Sequence, residues 1–214
     1  MNLRAFPPVD EANEDGLLAI GGDLSPETLL SAYSQGIFPW PINHGILAWF
    51  APPVRAILVV DEFHIPRRLT RHLKTQSFTT THNQDFSTVI RKCAELDNRG
   101  DQNGTWITED IMKAYCHLHT LGIAHSFETY SDGALVGGLY GVRIGSFFAA
   151  ESSFYRISNA SKSAMLALRD YLVDEGISWF DCQMLTPFSK SFGAREIARH
   201  EFMELLETAL NLGE

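Results

Sequence analysis

The chain has no apolar run near the roughly 18 residues that a membrane-spanning helix needs: Ala56 to Val60 is cut by Asp61, and Ile46 to Phe50 runs into Pro52 and Pro53. No membrane association is expected. The opening stretch, MNLRAFPPVDEANEDG, has no apolar core behind its single Arg, so no secretory signal is expected there. Three cysteines, Cys93, Cys116 and Cys182, cannot make a disulfide framework, and the reducing cytoplasm is the expected compartment. Positive charge is also scarce, with 17 Lys plus Arg against 26 Asp plus Glu and a formal net charge of −9. That excludes coating nucleic acid through global charge, but it leaves room for a local basic patch on an acidic body. There is no internal repeat and no low-complexity tract. What is present is an ordinary folded composition, 45% hydrophobic and 20% charged, in 214 residues that suffice for one large domain or two small ones.

Pro and Gly cluster in the first quarter. Ser25-Pro26-Glu27 reads as an N-cap, a first-turn Pro and a first-turn acid, and Gly36 stops the run, which predicts a helix from Pro26 to Gln35. The aromatic and Pro-rich stretch after it suits an irregular layer packed on something else. A soft boundary near residue 58 divides the chain into residues 1–58 and 59–214. Further helices are predicted at Pro66 to Lys74, Phe86 to Leu96, Glu109 to Leu121, Ala160 to Glu175 and Glu201 to Leu212. His125 to Tyr130, Ala134 to Val142 and Ser146 to Glu151, separated by turns, read as an antiparallel meander, and Ile177 to Gln183 as a later strand. The expected fold class is α+β, a mixed, mainly antiparallel sheet covered by helices.

Within Trp179 to Gln183 the strand period of two puts Asp181 and Gln183 on one face, and Phe180 and Cys182 on the other. A solvated sheet face is the ordinary meaning of such a pair. Glu151 closes the very apolar run Phe147 to Ala150, where a carboxylate sits either at the rim or buried with a partner. On a helical wheel Arg67, Arg71 and Lys74 fall within an arc of about 60°, opposite Ile65, Leu69 and Leu73. This is either a solvated face or a phosphate-binding stripe. No metal site is expected, since His117 and His119 would face different sides of a helix. Cys182 reads as a buried structural thiol, and the glycines at 133, 137, 138, 141 and 145 as turn or close-packing residues.

Several collinear strings resemble the leucyl/phenylalanyl-tRNA-protein transferase family. They are GLLAIGGDLSPETLLSAYSQGIFPW (Gly16 to Trp40), GTWIT (Gly104 to Thr108), HSFE (His125 to Glu128), LVGGLYGV (Leu135 to Val142), AESSF (Ala150 to Phe154), NASK (Asn159 to Lys162) and DCQ (Asp181 to Gln183). The resemblance implies a small N-terminal domain on a C-terminal domain similar to the GNAT acyltransferases. It implies an enzyme that transfers Leu, Phe or Met from aminoacyl-tRNA to the α-amino group of proteins beginning with Arg or Lys, marking them for degradation. No cofactor is implied, and a monomer is expected. By the same resemblance Asp181 and Gln183 form the catalytic pair, with Glu151 the acid beside them that attracts the cationic substrate. Trp40, Trp106 and Tyr115 would hold the acceptor end of the tRNA and the substrate, and Arg67, Arg71 and Lys74 would meet tRNA phosphates. Leu139, Phe148, Met165, Leu168 and Phe180 match the aminoacyl side-chain pocket, with ordinary core packing as the alternative. The chain departs from the family pattern at Phe188, where a His is usual, at Ala198 in place of Pro, and at Ala150 in place of Gly.

The chemistry implied is modest, because the aminoacyl ester is already activated and an α-amine with a reference pKa of about 8 is partly neutral near pH 7. A Gln amide is no base at neutral pH, so the Gln183 carbonyl oxygen is expected to orient the amine while Asp181 fixes that amide and stabilises the developing charge. Two other readings stay open. One is a GNAT-type acyl-CoA N-acyltransferase, disfavoured by the absence of Gly between Ser152 and Ser158; the other is a noncatalytic tRNA-binding module.

Overall fold

The computed structural model describes residues 6–42, 46–95, 98–99, 102–103 and 106–211. The expected helix ends Leu96 and Leu212, and Gly104 and Thr105 of GTWIT, lie outside the described residues. The first part of the chain builds a small layer: β1 (Leu17–Ile20), α1 (Pro26–Ser34), β2 (Phe38–Pro39) and β3 (Ala48–Phe50), in sheet order β1-β3-β2. Ser25 caps α1 as expected, its hydroxyl accepting the Thr28 N–H at 3.3 Å with Pro26 in the first turn. Gly36, at φ +72°, then turns the chain into β2 where a Cβ would lie 2.8 Å from Met203 Sδ.

The rest of the chain runs through β4 (Val54–Val59), α2 (Arg67–Thr75), β5 (Phe78–His82), α3 (Phe86–Ala94) and a two-stranded ribbon, β6 (Asn98–Arg99) with β7 (Gln102–Asn103). It continues through α4 (Glu109–Thr120), β8 (Ala124–Ser131), β9 (Ala134–Ile144), β10 (Phe147–Tyr155), α5 (Ala160–Asp174) and β11 (Trp179–Gln183). A short α6 (Pro187–Lys190), β12 (Arg195–Ala198) and α7 (Arg199–Asn211) complete it. Seven strands form one sheet in the order β12-β4-β11-β10-β9-β8-β5. Only the β10–β11 pair among these is parallel, in register at Ala149 and Asp181, so the sheet is mixed and mainly antiparallel as expected.

The predicted helices and the meander are present, each with ends shifted by a residue or two except β10. That strand runs on to Tyr155, so Glu151 lies inside it, at a register shift between Ala150 and Ser152, rather than at its end. The division expected near residue 58 falls inside β4, which pairs with both β11 and β12, so a cut there would divide the large sheet.

Consecutive strand residues alternate between two apolar clusters. Ile57, Tyr140, Phe147 and Trp179 belong to one, with residues of the small layer, α3, α4 and α7; their chain neighbours Leu58, Leu139, Phe148 and Phe180 belong to the other, with α5 and α2. The sheet is therefore covered on both faces, and the small layer shares a face with Ile57 and Trp179. Close approach on the α5 side needs glycine: a Cβ at Gly137 would sit 2.6 Å from Ala160 Cβ.

Candidate active site

Strand alternation places Arg55 with Ile57 and Asp181 with Trp179, toward the small layer, where all the polar groups of the site meet. Asp181 is fully buried and held by a two-pronged ion pair, with Arg55 Nε donating to Oδ1 at 2.9 Å and Nη2 to Oδ2 at 2.7 Å. The third guanidinium nitrogen, Nη1, donates to the Gly36 carbonyl oxygen at 2.8 Å. The guanidinium also lies 4.7 Å from the ring centroid of Phe38 and 4.4 Å from that of Phe202. Asp181 Oδ1 accepts a further bond, from the Gln183 backbone N–H at 2.7 Å.

That last bond corrects the expectation that Asp181 fixes the Gln183 side-chain amide. The register with β4 shifts between Asp181 and Gln183, and Gln183 adopts φ +59°, a left-handed conformation unusual for a residue with a side chain. The simple alternation that predicts a shared face therefore ends at Asp181. The re-aimed side chain donates from Nε2 to Glu151 Oε1 at 2.8 Å, which bridges the two parallel strands just beyond their registered pair. Glu151 holds the amide, and Asp181 holds the backbone that carries it.

Glu151 is the chemically distinctive member. Burial pushes its carboxyl up to about 7; bonding to the Tyr33 hydroxyl and the Gln183 amide opposes the rise, Asp181 adds to it, and Arg55 opposes it. Its Oε2 is buried with no hydrogen-bond partner among the described residues. Tyr33 bonds in turn to Tyr115, and burial, reinforced by the charge of Glu151, holds both phenols well above their ordinary range and hence neutral. A row of groups thus runs from Arg55 through Asp181, Gln183 and Glu151 to the two tyrosines. Such a row can orient an incoming N–H donor and, at Glu151, accept positive charge or a proton. Cys182, pushed up by burial and then by the charge of Asp181, stays a thiol and is no nucleophile at neutral pH.

The other expected residues fall in three places. Trp40 and Trp106 stack at 5.2 Å between ring centroids with 17° between planes, next to the small layer. Tyr115 belongs to the same apolar cluster but is fully enclosed, so it reaches Glu151 through Tyr33. Leu139, Phe148, Met165, Leu168 and Phe180 come together on the opposite face of the sheet, all buried and packed with one another. Arg67, Arg71 and Lys74 lie exposed along α2, apart from the polar row, while Leu69 is buried beneath them.

Arg55 and Phe202 escape a reading of the sequence, Gly36 figures in it only as a helix stop, and Tyr33 only as one letter of a matched string. Arg55 gives one local sign, a charged residue inside the apolar run from Val54 to Val60 and two residues from Ile57; its partner lies 126 positions away.

Residues 57–207 match the model of a family described as leucyl/phenylalanyl-tRNA protein transferase, and residues 22–53 match the model of that family's N-terminal domain. The chain is similar to the leucyl/phenylalanyl-tRNA–protein transferase of Flavobacterium johnsoniae, 47% identical over 203 residues that make up 95% of each chain. Among solved structures it is similar to L-PGS from Bacillus licheniformis, with a TM-score of 0.49, 13% identity and coverage of 89% of this chain and 71% of that one. It is also similar to a GCN5-related N-acetyltransferase from Kribbella flavida, with a TM-score of 0.42, 10% identity and coverage of 81% and 61%.

Proposed function

The chain belongs to the leucyl/phenylalanyl-tRNA protein transferase family, aminoacyltransferases that act from tRNA onto proteins, and from that premise we propose that its transfer site is the buried row centred on Gln183 and Glu151. The observation that carries this reading is the Gln183 Nε2 to Glu151 Oε1 bond across the parallel strands. With its nitrogen committed to Glu151, the amide leaves its carbonyl oxygen to accept an N–H of the incoming α-amine and to aim the nitrogen lone pair at the ester carbonyl. The amine nitrogen bonds to that carbon, the bond to the ribose oxygen breaks, and the ribose hydroxyl leaves with a proton. The amine must lose one proton in the same exchange. Glu151, ionised in part near neutrality and with Oε2 unpaired, accepts it or balances its charge.

The donor is Leu-, Phe- or Met-tRNA, and the acceptor is a protein beginning with Arg or Lys, whose cationic side chain and α-ammonium favour a carboxylate-lined site. The apolar group of Leu139, Phe148, Met165, Leu168 and Phe180, packed closed on the far face of the sheet, receives the aminoacyl side chain by parting beside the register shift at Gln183, with Met165 the most adaptable wall. The stacked Trp40 and Trp106 hold the acceptor end of the tRNA, with Tyr115 acting on the site through Tyr33. Arg67 in the first turn of α2 opposes the helix dipole, Pro66 gives that helix no side-chain cap, and Arg71 follows on the same exposed face. A helix built this way loses stability for its charge placement, which suits an anion-facing surface, so with Lys74 it meets tRNA phosphates. The enzyme acts as a monomer in the cytoplasm, in keeping with three free cysteines. Labelled Leu supplied on tRNA is expected to pass to a peptide beginning with Arg and not to one beginning with Ala. Labelling of neither peptide, with tRNA still bound, would instead support a binding module.

A further inference from the structure

We infer that Arg55 is a positioning residue for aminoacyl transfer, acting through Asp181 to hold Gln183 in its working orientation; this rests on the reading of Gln183 given above. All three guanidinium nitrogens are committed: two to the Asp181 carboxylate and one to the Gly36 carbonyl, with the rings of Phe38 and Phe202 against the charge. The residue is only 2% exposed, so substrate does not reach the guanidinium. Its influence must therefore run through its partners.

A buried ion pair of this kind is a poor device for stability, because desolvation cancels most of the attraction and an apolar pair of similar volume commonly serves as well or better. What the fork supplies is direction. By fixing both oxygens of Asp181 it aims Oδ1 at the Gln183 N–H, 2.7 Å away, and that bond stabilises the left-handed backbone at φ +59°. Relaxation of Gln183 toward an ordinary strand conformation would swing its amide away from Glu151. Arg55 also joins three segments at one point. Gly36 comes from the small layer, Asp181 from β11 and Phe202 from α7, so the orientation of Gln183 depends on the small layer and α7 being docked.

The test compares wild type, Arg55→Lys, Gln183→Ala and the double variant by single-turnover transfer from bound Leu-tRNA, alongside tRNA affinity and thermal unfolding. Lysine keeps the charge but has no planar fork, so Arg55→Lys is expected to fold and to bind tRNA normally while its transfer rate falls about a hundredfold. Adding Arg55→Lys to Gln183→Ala is expected to cost nothing further, because the orientation it maintains is no longer used, whereas a merely structural role would slow both backgrounds alike. If Arg55→Lys does not fold, the paired Arg55→Met with Asp181→Leu removes both charges at once and carries the same expectation of a folded, tRNA-binding, slow enzyme. A wild-type rate in folded Arg55→Lys, or in that paired variant, beside a slow Gln183→Ala overturns the role of Arg55 and leaves that of Gln183 standing. A wild-type rate in Gln183→Ala overturns both.

Discussion

At the scale of single residues, Glu151 sets the pH behaviour of the site. A carboxyl raised to about 7 is protonated in much of the folded population below neutrality, and only the ionised form attracts or deprotonates an ammonium. The kcat/KM for an Arg-peptide is therefore expected to rise through pH 7, ahead of a second rise near pH 8 from the substrate's own amine. In Glu151→Gln the first rise should vanish and the second remain; a profile identical to wild type would remove Glu151 from the chemistry. Asp181, Gln183 and Glu151 are legible in the sequence through strand alternation and through matched strings. Their wiring is not, because it depends on a bulge and a left-handed residue that alternation cannot express. The role of Arg55 is illegible for a related reason, since its place in an apolar run marks it as unusual but its partner is distant in sequence.

At the scale of elements, α2 carries the tRNA-facing claim. Replacing Arg67, Arg71 and Lys74 together with Ala is expected to weaken tRNA binding and to flatten its log–log salt dependence by about two to three units, with the transfer step from bound tRNA retained. An unchanged slope would return the stripe to an ordinary solvated face. The edge of the meander carries a different device. Asn83 Oδ1 accepts the Ser126 N–H at 2.9 Å, which turns its Nδ2 donor toward His125 Nδ1 at 3.1 Å, so that ring nitrogen is a bare acceptor and His125 is neutral. Burial, then the nearby His82, Arg143 and His119, push His125 down to about 4. The unfolded chain binds the extra proton between about pH 6.5 and 4, so the stability given by neutral His125 is full above that window and is lost as pH falls through it. Urea unfolding at pH 7 and pH 5 should show a smaller pH effect in His125→Asn than in wild type; equal effects would assign the acid sensitivity elsewhere. Capped elements such as α1 and α4 are readable because a Ser or Thr hydroxyl and a following Gly mark their ends locally. The strands β4, β5 and β12 carry no such marks, and their pairing is entirely nonlocal.

At the scale of the molecule, a body of net charge −9 presents the exposed basic stripe of α2, while its buried polar row sits where the small layer closes over the large sheet. Composition and periodicity suffice for the fold class, because mainly antiparallel strands and amphipathic helices each leave a period in the sequence. They do not reveal that the small layer reaches Arg55 through the Gly36 carbonyl and the Phe38 ring, since Gly36 reads only as a helix stop. The collinear family strings stand in for that missing geometry by naming residues without showing how they touch. The claim that joins these scales is that the Gln183 amide, held by Glu151 and by the backbone bond to Asp181, orients the attacking amine. Its most direct test is the single-turnover rate of Leu transfer from bound Leu-tRNA to an Arg-peptide, in wild type and in Gln183→Ala. The expected result is a loss of about a hundredfold or more with tRNA affinity intact; an unchanged rate in the folded variant would contradict the account.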